Sequence, residues 1–159
     1  SISKYLAENL CKQFSKDWDV STDVIRIFNV YGEGQSSSFL VPYVLNKIIN
    51  SEILEIRMQN AIRDFIYISD VINAMILLTK YSNSNFNIYN IGTGISTRIM
   101  DLINLVEEIC NKKANIVLKD HYEGELNIMV ANNSKAINEL KWGIEFDLEK
   151  GLHSMISNK

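Results

Sequence analysis

The chain has 159 residues, of which 47% are hydrophobic and 22% are charged, and its formal net charge is −3. Its lysines and arginines are scattered, which disfavours a nucleic-acid-binding face, and no apolar run is long enough to span a bilayer. Cys11 and Cys110 lack the paired spacing of a metal site, so we expect free thiols, no metal and a cytoplasmic location.

Apolar periodicity predicts strands and helices that alternate along the chain. Helices are predicted over 3–14 with Ser3 as N-cap, 39–50, 69–81 and 99–111, and two more follow the caps Ser134 and Asp147. Strands are predicted over 23–28, 53–56, 62–66, 86–91 and 115–118. This order of elements is typical of the α/β class.

The segment 24–34 carries the strongest local signal. An apolar run from Val24 to Phe28 is followed at once by Asn29, Gly32 and Gly34, which predicts a buried strand that ends at the rim of a sheet. In open α/β sheets, ligands bind beyond the carboxyl ends of the strands. The runs 24–28 and 86–91 are apolar on both faces. They are either strands that pair with a further segment in a parallel sheet, or core strands of a compact α+β domain.

Four segments, in order, resemble one enzyme family. The opening reads S-I-S-K-Y-L-A-E, and residues 26–35 read R-I-F-N-V-Y-G-E-G-Q. Residues 63–70 read R-D-F-I-Y-I-S-D, and N-I-G-T-G is followed by S-K-A-I-N-E-L-K-W and L-E-K-G-L. Together they resemble the C-terminal half of NAD-dependent nucleotide-sugar epimerases/dehydratases, which are extended short-chain dehydrogenases/reductases. The resemblance implies that residues 1–159 form the C-terminal part of a Rossmann-type fold, with the small substrate-binding subdomain, and that the dinucleotide-binding portion lies upstream.

The resemblance implies an NAD or NADP cofactor, held mainly by that upstream portion. In the family a tyrosine acts as acid/base on a sugar hydroxyl, and a lysine four residues later favours its phenolate and binds the nicotinamide ribose. Lys4 resembles that catalytic and cofactor-binding lysine, and the tyrosine would fall one position before Ser1. The alternative for Lys4 is a solvated helical lysine. Phe28 resembles a residue that flanks the nicotinamide.

The same resemblance implies the substrate-binding residues. Asn29 resembles a contact of the nucleotide-sugar diphosphate, and its alternative is a turn residue that bonds its own backbone. Arg63 is the best candidate for binding the diphosphate, because a guanidinium can donate two parallel hydrogen bonds to phosphate oxygens. The alternative is that Arg63 forms a structural ion pair with Asp64 or Asp70. Asp70, at a helix start, is expected to be structural. The remaining candidates match family positions at the base site or in the late loop: Phe39, Leu40, Ile56, Tyr122 and Glu125. Phe39 is equally well explained as a core residue.

The chain also departs from the family pattern. The stretch before Arg63 lacks the usual glycine-rich hairpin, and the late loop has Tyr122-Glu123-Gly124-Glu125 where relatives carry an arginine before Gly-Asp. We therefore expect a nucleotide-sugar-modifying enzyme, most directly a 4-epimerase. A 4,6-dehydratase, a 4-reductase and a non-catalytic nucleotide-sugar-binding relative are the alternatives.

Two further expectations concern assembly. The family often dimerises through the helix that contains Lys4, so Leu6, Leu10 and Phe14 are expected to face a second copy in a homodimer. The segment is expected to be inactive alone and to need the upstream portion to fold fully.

Overall fold

The computed structural model describes residues 2–81, 86–120 and 126–157. The helices are α1 (Ile2–Trp18), α2 (Leu40–Ile49), α3 (Ile68–Tyr81), α4 (Ile99–Cys110), α5 (Ser134–Leu140) and α6 (Leu148–Ser157). The strands are β1 (Thr22–Ile27), β2 (Asn29–Tyr31), β3 (Ile53–Ile56), β4 (Ile62–Arg63), β5 (Phe65–Tyr67), β6 (Phe86–Ile91), β7 (Thr97–Arg98), β8 (Asn115–Leu118) and β9 (Ile128–Met129). Among the helices of these residues, none is both long and apolar enough to cross a membrane.

The predicted α/β class and the parallel pairing of strands are confirmed. β1 and β6 are parallel neighbours, in register from Thr22 beside Phe86 to Ile27 beside Ile91. α1 packs against both strands, and α3 and α5 close a core around Tyr89 and Ile91. All residues of β1 are half-buried or exposed, so this strand is less enclosed than its apolar sequence predicts.

Between Phe28 and Asn29 the backbone stops hydrogen-bonding to the β6 segment and begins to hydrogen-bond to the segment at Asp64 and β5. The Phe28 N–H donates to the Ile91 carbonyl (2.9 Å), and the Asn29 N–H donates to the Asp64 carbonyl (3.1 Å). Asn29 therefore begins β2, which runs parallel to β5, whereas the sequence predicts that the strand ends before this residue. The end of β1 lies where two pairs of strands diverge, which is the kind of switch at which α/β folds bind ligands.

A second core lies between α2, α4 and α6. Its fully buried members include Val44, Leu45, Leu102, Val106 and Leu152. β3 and β8 pair in parallel beside it, and β4 pairs with β7 antiparallel and with β9 parallel. β7 and β9 have two residues each, too few for an alternating pattern, and this explains why the sequence does not predict them.

Asp64 interrupts the predicted strand over 62–66 and divides it into β4 and β5. Its side chain is fully buried and accepts hydrogen bonds from Thr93 N (2.8 Å), Thr93 Oγ1 (2.6 Å), Gly94 N (2.8 Å) and Ala131 N (3.0 Å). A side chain at Gly92 would lie 2.7 Å from both Ala131 Cβ and Asp64 Oδ2. The N-I-G-T-G segment thus requires its first glycine because a buried carboxylate lies against it.

Two other polar contacts join the C-terminal segment to the strands. Asp70 is fully buried and accepts hydrogen bonds from Glu145 N and Phe146 N, both 3.1 Å, which is the structural role expected for it. Tyr31 is buried, and its hydroxyl donates to the Leu148 carbonyl (3.3 Å). A Cβ at Gly151 would overlap that hydroxyl, so the glycine permits α6 to lie directly on β2.

The predicted ends of the helices are correct to within a few residues. Asp147 caps α6, because its Oδ1 accepts from Lys150 N (2.8 Å). Ser3 lies inside α1 and is not its cap, and Ser134 is the first residue of α5, whose N-cap is Asn133.

Replacing Asp64 by Asn tests the importance of the buried carboxylate. An amide keeps one acceptor but presents N–H groups to backbone donors, so we expect the free energy of unfolding of the full-length protein to fall by about 2–3 kcal/mol in urea denaturation. Asp101→Asn is the matched control, because Asp101 forms an exposed pair with Arg98 whose loss is expected to cost about 1 kcal/mol or less. Equal losses for the two variants would contradict a special role for Asp64.

Candidate functional site

A cleft of about 490 Å³ opens beside the start of β2, and we call it the main cleft. Six separate parts of the chain meet there: β2, α2, β3 with the turn after it, β4, the start of α4 and the segment that contains β9. Its lining residues are Asn29, Leu40, Tyr43, Glu55, Ile56, Arg57, Met58, Arg63, Ile99, Leu126 and Met129. Four candidate residues identified from the sequence therefore line one cleft, although they are far apart along the chain. They are Asn29, Leu40, Ile56 and Arg63.

Arg63 is half-buried on β4, and its guanidinium is held by carbonyl groups. Nη1 donates to Ile62 O (2.9 Å) and to Asn127 O (3.4 Å). The alternative of a structural pair with Asp64 or Asp70 is wrong, since both carboxylates accept from other donors. The guanidinium thus keeps a positive charge and further N–H groups for an anion in the cleft.

Asn29 is fixed by the neighbouring strand. Its Nδ2 donates to the Asp64 carbonyl (3.0 Å), which also accepts from the Asn29 N–H. The alternative in which Asn29 bonds its own turn is therefore wrong. Because a carboxamide nitrogen carries two hydrogens, one donor remains for a ligand.

A smaller pocket of about 220 Å³ adjoins the main cleft, and we call it the side pocket. It is lined by Phe28, Asn29, Val30, Gln35, Phe39, Leu40, Val41 and Phe65. Asn29 and Leu40 belong to both cavities, so the two are neighbours. Phe39 is 57% exposed, so the alternative that it is a core residue is wrong.

Lys4 lies apart from these two cavities. It is exposed on α1 and lines another cleft of about 490 Å³ between α1 and β1. In this cleft Arg26 Nε and Nη2 bond the two oxygens of Glu8 (2.8 and 2.6 Å), which ties α1 to β1. The Arg26 guanidinium holds the pKa of the Glu8 carboxyl below its usual range. The structure thus fixes the helix that carries Lys4 but does not bring Lys4 to the main cleft.

Two predicted site residues, Tyr122 and Glu125, lie outside the described residues. Within the described ranges, no group of three or more His, Cys, Asp or Glu side chains is arranged to hold a metal ion.

Sequence reasoning missed Tyr43, which lines the main cleft. It stands three residues after Leu40 on α2, so helical spacing from Leu40 could have identified it. Tyr43 also precedes Lys47 by four residues, which matches the spacing of the tyrosine–lysine pair in the family. Its hydroxyl, however, accepts from Glu55 N (3.2 Å) and donates to Glu55 O (3.4 Å), and Lys47 pairs with Glu52 (2.7 Å). This tyrosine and lysine therefore stabilise the contact of α2 with β3.

The main cleft combines apolar walls with the guanidinium groups of Arg57 and Arg63, the carboxylate of Glu55 and the amide of Asn29. Leu40, Ile56 and Ile99 can cover a flat apolar surface, whereas Arg63 and Asn29 can donate hydrogen bonds to oxygen atoms. Such a cavity suits a ligand with an anionic group joined to a planar ring.

The sequence model of the NAD dependent epimerase/dehydratase family matches residues 1–92. The chain is 32% identical to dTDP-4-dehydro-6-deoxyglucose reductase of Escherichia coli, over 99% of this chain and 51% of that protein. It resembles the structure of UDP-glucose 4-epimerase from Thermotoga maritima with UDP-glucose, with a TM-score of 0.92 and 27% identity, covering 98% of this chain and 51% of that one. It also resembles UDP-glucuronic acid 4-epimerase from Bacillus cereus in complex with UDP-glucuronic acid and NAD, with a TM-score of 0.91 and 25% identity, covering 98% and 50%.

These similarities agree with the order of motifs and with the parallel α/β architecture. The chain spans about half the length of the curated relatives that it matches. The family model covers more than half of the chain, from α1 through the end of β6. The chain belongs to the NAD-dependent epimerase/dehydratase family.

Proposed function

We propose that residues 1–159 are the C-terminal, substrate-binding part of an NAD- or NADP-dependent enzyme that acts on a nucleotide sugar, most directly as a 4-epimerase. The observation that carries this proposal is the main cleft, where Asn29, Leu40, Ile56 and Arg63 converge. The Thermotoga maritima and Bacillus cereus structures, both 4-epimerases with a bound UDP-sugar, support the same substrate class.

The chemistry of the cleft suggests how the substrate is held. Arg63 and the free N–H of Asn29 bind the diphosphate, and Leu40 and Ile56 pack against the nucleotide base. Phe39 lies at the edge of this base site. Tyr122 and Glu125 remain substrate-binding candidates by their resemblance to family positions alone. These contacts orient the sugar relative to the cofactor.

The residues toward the cofactor are Phe28 and Lys4. Phe28 lines the side pocket with an aromatic face suited to a nicotinamide ring, and Lys4 is an exposed donor suited to ribose hydroxyls. The bound cofactor would supply hydride transfer at the sugar. Lys4 assists proton transfer because its positive charge lowers the pKa of an acid/base tyrosine.

A 4-reductase is the second candidate function. It is favoured by the 32% identity to dTDP-4-dehydro-6-deoxyglucose reductase, which exceeds the identity to the two epimerase structures. The two activities differ in their products. An epimerase returns its nicotinamide cofactor unchanged after each turnover, whereas a reductase consumes one reduced cofactor for each sugar.

We also propose a cytoplasmic homodimer. Cys11 and Cys110 do not form a disulfide, as expected in a reducing compartment. On α1, Leu6, Leu10 and Phe14 are 55%, 71% and 52% exposed, and they form one apolar stripe because they are spaced four residues apart. A second copy packed on this stripe would bury it.

Replacing Arg63 by Met tests the diphosphate contact. Loss of charge-assisted hydrogen bonds is expected to weaken binding of UDP or dTDP to the full-length protein by about 10- to 100-fold in isothermal titration calorimetry. Arg98→Met is the matched control, since Arg98 is on the neighbouring strand and pairs with Asp101. Unchanged affinity in the Arg63 variant would exclude the proposed diphosphate site.

Leu10→Asp tests the dimer. A carboxylate in the centre of an apolar interface is costly to bury, so the full-length variant is expected to elute as a monomer in size-exclusion chromatography. Ile95→Asp is the control, because Ile95 is also exposed (56%) but lies in the loop between β6 and β7. Retention of the dimer by the Leu10 variant would rule out this interface.

The polypeptide 1–159 alone is expected to show no turnover of UDP-glucose with NAD. In this sequence only Tyr43 stands four residues before a lysine, and its hydroxyl is engaged by the backbone of Glu55. The full-length protein, assayed in parallel by NMR detection of the product, is the positive control. Measurable product from residues 1–159 would show that the acid/base group lies within this segment.

A further inference from the structure

The main cleft has two ends, which follow one another along α2. Asn29 and Leu40 also line the side pocket, so they mark the end that adjoins that pocket. Tyr43 lies one helical turn after Leu40, and its hydroxyl accepts from Glu55 N (3.2 Å) and donates to Glu55 O (3.4 Å). Tyr43, Glu55 and Arg57 line the main cleft but not the side pocket. Arg57 therefore lies at the end of the cleft that is remote from Asn29.

The turn between β3 and β4 brings Arg57 to the cleft. Its backbone is fixed, because Ala61 N donates to Met58 O (3.0 Å) and Met100 N donates to Gln59 O (3.0 Å). Ala61 is buried beneath the turn, whereas the Arg57 side chain is exposed at the cleft. This is the stretch that lacks the glycine-rich hairpin of the family pattern. The guanidinium at position 57 is therefore a feature of this chain and not of that pattern.

The carboxylate nearest to Arg57 along the cleft wall has a lysine as its partner. Glu55 Oε1 pairs with Lys119 Nζ at 3.1 Å. Lys119 N donates to Ile56 O (2.8 Å), which holds the lysine beside the end of β3. Because Glu55 already pairs with Lys119, it offsets only part of the positive charge of Arg57 and Arg63. This end of the cleft therefore favours ligand atoms that accept hydrogen bonds.

The order of groups in a nucleotide decides which of them reaches Arg57. In the proposed function, Arg63 and Asn29 bind the diphosphate, and Leu40 and Ile56 pack against the base. The ribose joins the base to the diphosphate, so the base lies further from Asn29 than the diphosphate does. Arg57 directly follows Ile56 and lies at the remote end of the cleft. It therefore faces the edge of the base that points away from the ribose, which in a pyrimidine carries the substituent at C4.

Pyrimidine bases differ in hydrogen bonding at this edge. Uracil and thymine have the O4 oxygen, which accepts hydrogen bonds, whereas cytosine has an amino group, which donates them. A guanidinium donates hydrogen bonds and cannot accept them. O4 can therefore accept from Arg57, whereas the amino group of cytosine would place one donor against another.

We propose that Arg57 is a specificity-determining residue that donates a hydrogen bond to O4 of a uracil or thymine base. The protein then prefers uridine and thymidine nucleotides to cytidine nucleotides. This inference rests on the proposed function, because it takes a nucleotide sugar as the ligand of the main cleft, and it deepens that function by naming the class of base.

The test compares Arg57→Met with the unmodified full-length protein in calorimetric titrations with UDP, dTDP and CDP. UDP and CDP have the same ribose and diphosphate and differ only in the base. The unmodified protein is expected to bind UDP about 5- to 10-fold more tightly than CDP. In Arg57→Met the affinities for UDP and CDP are expected to agree within about 2-fold, since the donor that distinguishes the two bases is absent.

Two further variants keep the test specific. Arg57→Lys retains a donor and is expected to keep the preference for UDP, although a lysine lacks the planar fork of a guanidinium. Lys119→Met is the matched control, because it removes a positive charge beside Glu55 but no residue that lines the cleft. The ratio of the UDP and CDP affinities is expected to stay within about 2-fold of its original value in this control.

The outcomes separate the two proposals. If neither UDP nor dTDP binds, the proposed function fails and this inference fails with it. If UDP binds no more tightly than CDP, or if Arg57→Met weakens both nucleotides by the same factor, the proposed function stands and the contact of Arg57 with the base is wrong. Loss of the preference in Lys119→Met would also overturn the contact, because it would attribute the preference to the overall charge of the region.

Discussion

The buried carboxylate of Asp64 is the interaction on which the arrangement of the site depends. Its two oxygens accept hydrogen bonds from the turn after β6 and from Ala131, and its carbonyl accepts from Asn29. Three segments far apart in sequence thus meet at one residue. An ionised group without these donors would be very costly to bury, so the glycine turn and the carboxylate depend on each other.

Arg63 and Asp64 show how the alternation of side chains along an extended backbone places one residue in the interior and its neighbour in the cleft. Neighbouring side chains on extended backbone point to opposite sides. Asp64 enters the protein interior, and Arg63 therefore lines the cleft on the other side. Because Asp64 is already satisfied by neutral donors, it does not neutralise the adjacent guanidinium. A structural carboxylate, Asp64, and the proposed ligand-binding cation, Arg63, are thus neighbours in the R-D-F motif.

The main cleft and the side pocket differ in polarity. The main cleft holds the charged side chains of Arg57, Arg63 and Glu55, whereas the side pocket is lined by apolar residues and the neutral carboxamides of Asn29 and Gln35. Asn29 stands between them because the chain changes its pairing partner at this residue. The motif R-I-F-N-V-Y-G therefore does three things: Arg26 ties α1 to β1, Asn29 joins the two cavities, and Tyr31 supports α6.

The sequence by itself determined the family, the α/β class and the longer elements, because these depend on local periodicity and on motifs in a fixed order. It also identified Asn29, Leu40, Ile56 and Arg63, whose residue types match positions in the family. The tertiary structure decided what depends on contacts between distant segments. These contacts split the strand at Asp64, create the short strands β7 and β9, and occupy the hydroxyl of Tyr43 at β3. They also leave the buried Oε1 of Gln35 without a donor among the described residues, since whether a polar atom is satisfied depends on its neighbours in space.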